Sequence, residues 1–599
     1  MTTLVRGARW VAAACLFVVG APIALLMLVF YLGAAVVAGL FLSVFFVMIL
    51  AGVVGPVSNP VQWLVAIPTV AGCAILGLWF WSEKLGVRGL FRRGAGDTHG
   101  SARLATPKEI AANLAVGVEE DGLLIGRDPK TKKLLGYHGP AHLLTLAPTR
   151  AGKGVGTVIP NLLLSGRSML VVDPKGENVR VAGAMRADYG PTFVLDPFGV
   201  TGMPGASYNP LDRMTADSLD LGEDASTLAA ALVIDPPGQS GEAHWNEEAR
   251  ALIAGLALFC VVHEETDRRH LGTVREYLTL PPERFRELLG LMQESRGASG
   301  LIARAANRFL GKADREAAGV LSGAQRHTHF LDSPRIVASL DRSDFRFADL
   351  RHQLTTVFLV LPPNRMDAYS RWLRLLVSEA LQDIARDAEA VSGPETTSQA
   401  HVALESAQEA AEAPHAPTEP LTAASASPAL SAPLARPGAS PRLQTPTLFL
   451  LDEFAALGRL EAVERAMGLM AGYGLQLWPI LQDLSQLRDL YGTRANTFVA
   501  NAGVLQVFGV NDVETARWLS QALGKATIGY ETATHRPGDM PSTSEHVTGR
   551  ELMTPDEIMQ LPQSHQLLRV QGMPPVLAQK LRYYADSEFR DLFLPEAGR

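Results

Sequence analysis

Cysteine is scarce in this chain. Its 599 residues include 3, Cys15, Cys73 and Cys260, at no spacing that binds zinc or frames a disulfide scaffold. That excludes the small metal-stapled and disulfide-rich secreted classes. An excess of positive charge is missing too. With 54 Lys and Arg against 61 Asp and Glu the formal net charge is −7, so any contact with nucleic acid needs a local basic surface. The 14 histidines are scattered. His327 and His329 stand two apart, as on a strand face, which is a weak basis for a metal site.

Charge of either sign is absent near the N-terminus. None occurs from Val11 to Val57 or from Val61 to Trp81, and about 20 apolar residues suffice for a helix to cross a bilayer. By length the transmembrane region 1–83 holds up to three spans, 11–31, 36–55 and 62–81, and it is too long for a secretory signal peptide. Lys84, Arg88, Arg92 and Arg93 follow the last span and place that end in the cytoplasm. Arg6 and Arg9 argue for an inside N-terminus as well, which three spans do not satisfy. A multi-pass anchor of two or three spans is the expectation.

Beyond the membrane region stands a phosphate-binding loop. The apolar run from His142 leads into Thr149, Arg150, Ala151, Gly152, Lys153, Gly154 and Val155. Consecutive backbone N–H groups at a helix start wrap phosphates, and the lysine reaches the terminal ones as a point charge. The loop departs twice from the generic G-x-x-x-x-G-K-S/T pattern. Ala147 stands at the first glycine, and Gly154 replaces the hydroxyl residue that binds magnesium. Far downstream a second apolar strand, Thr447 to Leu451, ends in Asp452 and Glu453. Asp452 is expected to hold magnesium, and Glu453 to orient or deprotonate the attacking water. A plain helix-capping pair is the competing reading, and the order of the two motifs disfavours it. With no hydroxyl at 154 the magnesium rests more on Asp452, phosphate oxygens and water.

Three further features are candidates for the same chemistry. Asp173 ends the strand after the phosphate loop, either facing the site or capping the next helix. Gln482 follows the apolar run Leu477 to Leu481, where an amide senses the terminal phosphate or places the water. Arg326, Arg335, Arg342, Arg346, Arg351, Arg365, Arg371 and Arg374 lie among 5 aspartates, mostly a solvated, salt-bridged face. One of Arg365, Arg371 or Arg374 is a candidate arginine finger reaching a neighbouring subunit's phosphate.

Strand patterns at 142–147, 168–172, 192–196, 355–361, 447–451, 475–481, 503–509 and 565–570 alternate with helical ones. A mainly parallel α/β sheet follows, with ligands at the strands' carboxyl ends. The expected division is a connector at 84–138, a nucleotide-binding domain over 139–244, 346–390 and 447–590, and an inserted all-helical domain at 245–345. Residues 391–446, rich in Ala, Pro, Ser and Glu, have too few large apolar side chains to offset the entropy of ordering and read as a flexible loop.

The run from Thr149 to Gly156 with Ile159-Pro160-Asn161-Leu162, then Asp173-Pro174-Lys175-Gly176-Glu177, then Leu451-Asp452-Glu453-Phe454, resembles the TraG/TraD-type coupling ATPases of type IV secretion and conjugation. Ile480 to Leu487 and Asn511 to Ala516 resemble them as well, and the likeness spans about 140 to 585. Gly-Lys-Gly is common in that branch. The resemblance implies a membrane-anchored RecA-like P-loop ATPase domain with an inserted all-helical domain, a homo-hexamer with a central channel, and ATP with Mg2+. It further implies a bacterial inner-membrane site with the bulk of the chain cytoplasmic. The implied partners are the inner-membrane components of a type IV secretion channel and a relaxase nucleoprotein with its single-stranded DNA, or effector proteins. The alternatives are a coupling ATPase for protein effectors alone and a non-hydrolysing membrane docking platform.

Overall fold

The computed structural model describes residues 30, 32–51, 59–84, 98–116, 122–234, 242–391, 443, 445–534 and 542–593. They fall into two compact units, Met1–His99 with Thr527–Thr548, and Gly100–Ala526 with Gly549–Arg599.

In the first unit one helix among the described residues, Leu32–Ala51, is long and apolar enough to cross a membrane. Its Phe41, Phe45 and Met48 are exposed, as lipid-facing side chains are. The next helix is Asn59–Lys84, 26 residues long and uncharged up to Glu83, with its apolar stretch described over Asn59–Ile75. The two helices approach at Gly39, where a Cβ would come within 2.9 Å of the Val70 Cα, a small-residue contact. One candidate span is thus seen among the described residues, and it supports membrane anchoring. The span expected at 36–55 is the helix Leu32–Ala51, that at 62–81 lies within the helix Asn59–Lys84, and 11–31 lies almost wholly outside the described residues.

The second unit is built on a twelve-stranded sheet. In chain order its strands are β1 (Ala115–Val116), β2 (Leu123–Arg127), β3 (Leu134–Tyr137), β4 (His142–Leu146), β5 (Met169–Val172), β6 (Thr192–Leu195), β7 (Thr356–Leu359), β8 (Thr447–Leu451), β9 (Leu475–Leu481) and β10 (Ala502–Val507). A separate hairpin, β11 (Lys525–Thr534) with β12 (Ser542–Glu551), precedes β13 (His565–Val570) and β14 (Val576–Gln579). Across the sheet the order is β1-β3-β2-β14-β13-β10-β4-β9-β8-β5-β7-β6. From β10 to β6 every neighbour is parallel. From β13 outward to β1 all pairs are antiparallel. The segment read as a connector thus supplies β1, β2 and β3 to the sheet edge.

The parallel strands are continuously apolar because both faces are covered. On β5, Leu170 and Val172 join one buried cluster, and Met169 and Val171 join the other, the two-residue alternation of a strand. The first cluster runs on through the helices Ala243–His263, Leu271–Leu278, Pro282–Glu294, Leu301–Leu310 and Asp314–Thr328. From 243 to 338 the described residues carry helices and no strand. His327 ends one of those helices rather than lying on a strand. Its Nε2 meets Asn246 Oδ1 at 3.0 Å, and His329 Nδ1 meets Asp332 Oδ2 at 2.8 Å. The expected loop 391–446 lies outside the described residues apart from Val391, Leu443, Thr445 and Pro446.

Candidate active site

Parallel strands align their carboxyl ends, and the register brings the sequence motifs onto one edge. Leu146 of β4 pairs with Leu481 of β9, so the phosphate loop leaves the sheet beside Gln482. Val172 of β5 pairs with Leu451 of β8, so Asp173 and Asp452 emerge side by side. The strand bearing Gln482 lies between the phosphate-loop strand and the strand bearing Asp452.

The loop is built from turns and positive-φ residues. Ala147 N–H donates to Leu481 O at 2.8 Å, and Ala151 N–H to Pro148 O at 3.1 Å. Arg150 and Gly152 take φ +65° and +93°, the left-handed region in which successive N–H groups form an anion nest. Lys153, Gly154 and Val155 open the helical turns Gly154–Val158 and Ile159–Leu164. Thr149 and Arg150 are exposed at the loop's tip.

Lys153 turns toward the second motif. Its Nζ is 3.3 Å from Asp452 Oδ1 and contacts Glu453 Oε1. Glu453 Oε2 accepts from Gln482 Nε2 at 3.3 Å, and Gln482 N–H donates to Gln486 Oε1 at 3.0 Å. Glu453 has φ +50°, and its N–H donates to Asp452 Oδ1 at 2.9 Å. Burial pushes the Asp452 carboxyl above its ordinary range and the adjacent Glu453 charge adds to this, while Lys153 pulls it down. Asp173 is 1% exposed, and its Oδ2 accepts from Val179 N–H at 2.9 Å. Burial, assisted by the Asp452 charge, raises its pKa to about 7 against the pull of that N–H. Asp173 thus holds a first-turn N–H of the helix Glu177–Tyr189 and leaves β5 beside Asp452.

Among the described residues no group of three or more His, Cys, Asp or Glu forms a cation cage. The set fits magnesium nevertheless, because Mg2+ is held through one or two carboxylates plus substrate phosphates and water. Here a lysine ammonium lies against Asp452 and Glu453, the place a metal-bound phosphate chain would neutralise.

The arginines differ from expectation. Arg374 is 4% exposed. Its Nη1 donates to Leu457 O at 2.8 Å and Arg459 O at 2.6 Å, and burial lowers its pKa to about 10. It is spent in its own chain, pinning the segment after Glu453, a geometry unlike a finger offered to a neighbour. Arg371 is half-buried, with Nε lacking a hydrogen-bond partner among the described residues. Arg365 is exposed, its guanidinium 5.5 Å from the Phe198 ring centroid.

One lysine escaped the sequence reading. Lys580, just past β14, donates from Nζ to Ala151 O at 2.6 Å and lies 4.9 Å from the Phe508 ring centroid. Burial, with the Arg582 charge, lowers its pKa. In a trans peptide C=O and N–H point oppositely, so holding the Ala151 carbonyl aims the Gly152 N–H away from Lys580.

Residues 97–396 and 432–597 match the family described as type IV secretory system conjugative DNA transfer. The conjugal transfer protein TraG of Escherichia coli is 27% identical over 540 residues, which cover 82% of this chain and 77% of that protein. VirD4 of Agrobacterium fabrum (strain C58 / ATCC 33970) is 27% identical over 472 residues, 76% of this chain and 61% of its own. The solved structure of the conjugative coupling protein TrwB, unbound, aligns with TM-score 0.56 at 16% identity over 80% of this chain and 92% of that one. TrwB in complex with ADP and Mg2+ aligns with TM-score 0.54 at 17% identity, over 80% of this chain and 94% of that one. At these identities the structural likeness speaks for the RecA-like α/β fold. The extent of the family match decides the assignment: this chain belongs to the conjugative DNA transfer family of type IV secretory systems, the TraG-type coupling proteins.

Proposed function

We propose that this protein is a membrane-anchored ATPase that recruits relaxase-bound single-stranded DNA to a type IV secretion channel and drives its transfer by hydrolysing ATP. The observation that carries the reading is the convergence of Lys153, Asp452, Glu453 and Gln482 at one edge of the sheet. Lys153 leaves the carboxylates for the terminal phosphates when nucleotide enters. Asp452 would hold the magnesium, and the bound metal would supply neutralisation of developing phosphate charge. Glu453, held by Gln482, orients the attacking water and takes its proton. The likeness to TrwB, solved with ADP and Mg2+, supports nucleotide and metal as the ligands.

The helix Leu32–Ala51 supports a membrane anchor, and membership of the conjugative DNA transfer family supports a bacterial inner-membrane place beside the channel's components, with the sheet unit cytoplasmic as a homo-hexamer. The test is the ATPase rate of the detergent-purified full chain with and without single-stranded DNA at low salt. Stimulation supports the DNA-transfer reading. Hydrolysis indifferent to DNA favours protein effectors as the cargo, and no hydrolysis under any condition favours a docking platform.

A further inference from the structure

Position 154 is where the phosphate loop lacks a chemical group, the hydroxyl that binds magnesium in the generic pattern. Packing does not demand the glycine. Gly154 is not among the positive-φ residues. A Cβ there would meet no heavy atom nearer than Asn178 Oδ1, at 4.0 Å, an ordinary van der Waals contact. A serine would fit, and its hydroxyl would extend one bond from that Cβ into space that the Asn178 amide borders.

Asn178 is itself unusual. It stands in the first turn of the helix Glu177–Tyr189 and is 5% exposed. Its side-chain amide makes no hydrogen bond to a described residue, and its polar atoms are not sealed from solvent, so they stay open to a ligand. The same helix start is tied to the metal corner by Asp173, which accepts from Val179 N–H and leaves β5 beside Asp452. An unpartnered amide oxygen therefore flanks the position that lacks the hydroxyl, on the helix that Asp173 caps.

We propose that Asn178 takes the part of the missing hydroxyl and contributes an oxygen to the ligand shell of the nucleotide-bound magnesium. The proposal rests on the nucleotide and magnesium reading above and deepens it. The swap is chemically reasonable, because Mg2+ prefers oxygen donors and keeps a small number of protein ligands. It places the metal-binding oxygen on the neighbouring helix, so that the phosphate loop itself need carry none.

The test is the affinity of the full-length protein for ADP, measured by equilibrium titration once with Mg2+ and once with EDTA. The wild type should bind more tightly with Mg2+. Asn178→Ala should lose about tenfold or more of that gain, the range expected for a group in a metal's shell, with its affinity in EDTA unchanged. Adding Gly154→Ser to Asn178→Ala should restore the gain. The unchanged affinity in EDTA shows that the variant is folded, so a lost gain reports on the metal. The proposal is overturned if Asn178→Ala keeps the full gain, or if the double variant binds in EDTA like the wild type and stays insensitive to Mg2+. A wild type whose ADP affinity ignores Mg2+ would instead refute the underlying reading of the site.

Discussion

Glu453 holds a backbone conformation, φ +50°, that disfavours side chains, at a cost of order 1–3 kcal/mol. Such strain persists where surrounding contacts enforce it, here the Asp452 Oδ1 bond and the ties to Lys153 and Gln482. Glu453→Gln keeps the shape and removes the base. Nucleotide affinity should stay within a few-fold of wild type, while hydrolysis falls by about 10² to 10⁴. A variant turning over ATP at the wild-type rate would remove Glu453 from the chemistry.

Asp173 makes a prediction of opposite kind, about stability. An unfolded chain ionises this carboxyl near 3.8, whereas the folded protein keeps its proton to about 7. Between those values the folded state binds the proton and the unfolded state does not. The contribution is therefore full below pH 3.8 and is lost as pH rises through 7. At about 1.4 kcal/mol per pH unit the loss amounts to a few kcal/mol. Asp173→Asn retains an oxygen for Val179 N–H and removes the titration, so the nucleotide-free protein should show a flatter Tm against pH from about 4 to 7. An unaltered profile would show that some other group sets it.

Among the elements, β14 acts at a distance. Its trailing Lys580 holds the Ala151 carbonyl of a loop 429 positions away, and a hydrogen bond from a charged donor is worth about 1.5–3 kcal/mol. Lys580→Met should weaken ATP binding by about tenfold or more through a mis-set Gly152 N–H. Binding of adenosine, which carries no phosphate, should not change, and Lys580→Arg should recover part of the loss. Equal losses for ATP and adenosine would mean a general structural defect. Arg374 serves an analogous element, the turn after Glu453, through Leu457 O and Arg459 O.

The sheet was legible in the sequence where apolar runs end in punctuating polar residues. Met169 to Val172 closes on Asp173, and Thr447 to Leu451 closes on Asp452. The register that puts those carboxylates together follows once the strands are parallel. Of the antiparallel edge β13 was legible, whereas β2 and β3 were not: Gly126 and Gly136 interrupt their short apolar runs. Lys580 and Asn178 were missed for a related reason. Each carries meaning through a neighbour distant in sequence, and an isolated lysine or first-turn asparagine has no local pattern. Arg374 was misjudged because arginine density does not reveal burial.

For the whole molecule the open chemical question is what stabilises the charge on the transferring phosphoryl group. Arg374 is committed to its own chain, which leaves the exposed Arg365 and Arg371, half-buried with an Nε that has no partner among the described residues; Arg371 is the one tested first. If the site is completed by a neighbour in a ring, an arginine supplied in trans is worth about 10³ to 10⁵ in rate. ATPase activity per subunit should then climb steeply with protein concentration. Arg371→Ala should bind ATP normally yet stay slow at every concentration. Mixing it with Glu453→Gln should recover activity, because an intact arginine from one variant can meet an intact carboxylate from the other. Any stimulation by single-stranded DNA should fade as salt rises. With a net charge of −7, only a local basic lining can hold the phosphates, and that interaction weakens through counterion uptake. Concentration-independent activity from a demonstrably monomeric protein would overturn the shared site. A fully active Arg371→Ala would overturn this arginine while leaving the ring intact.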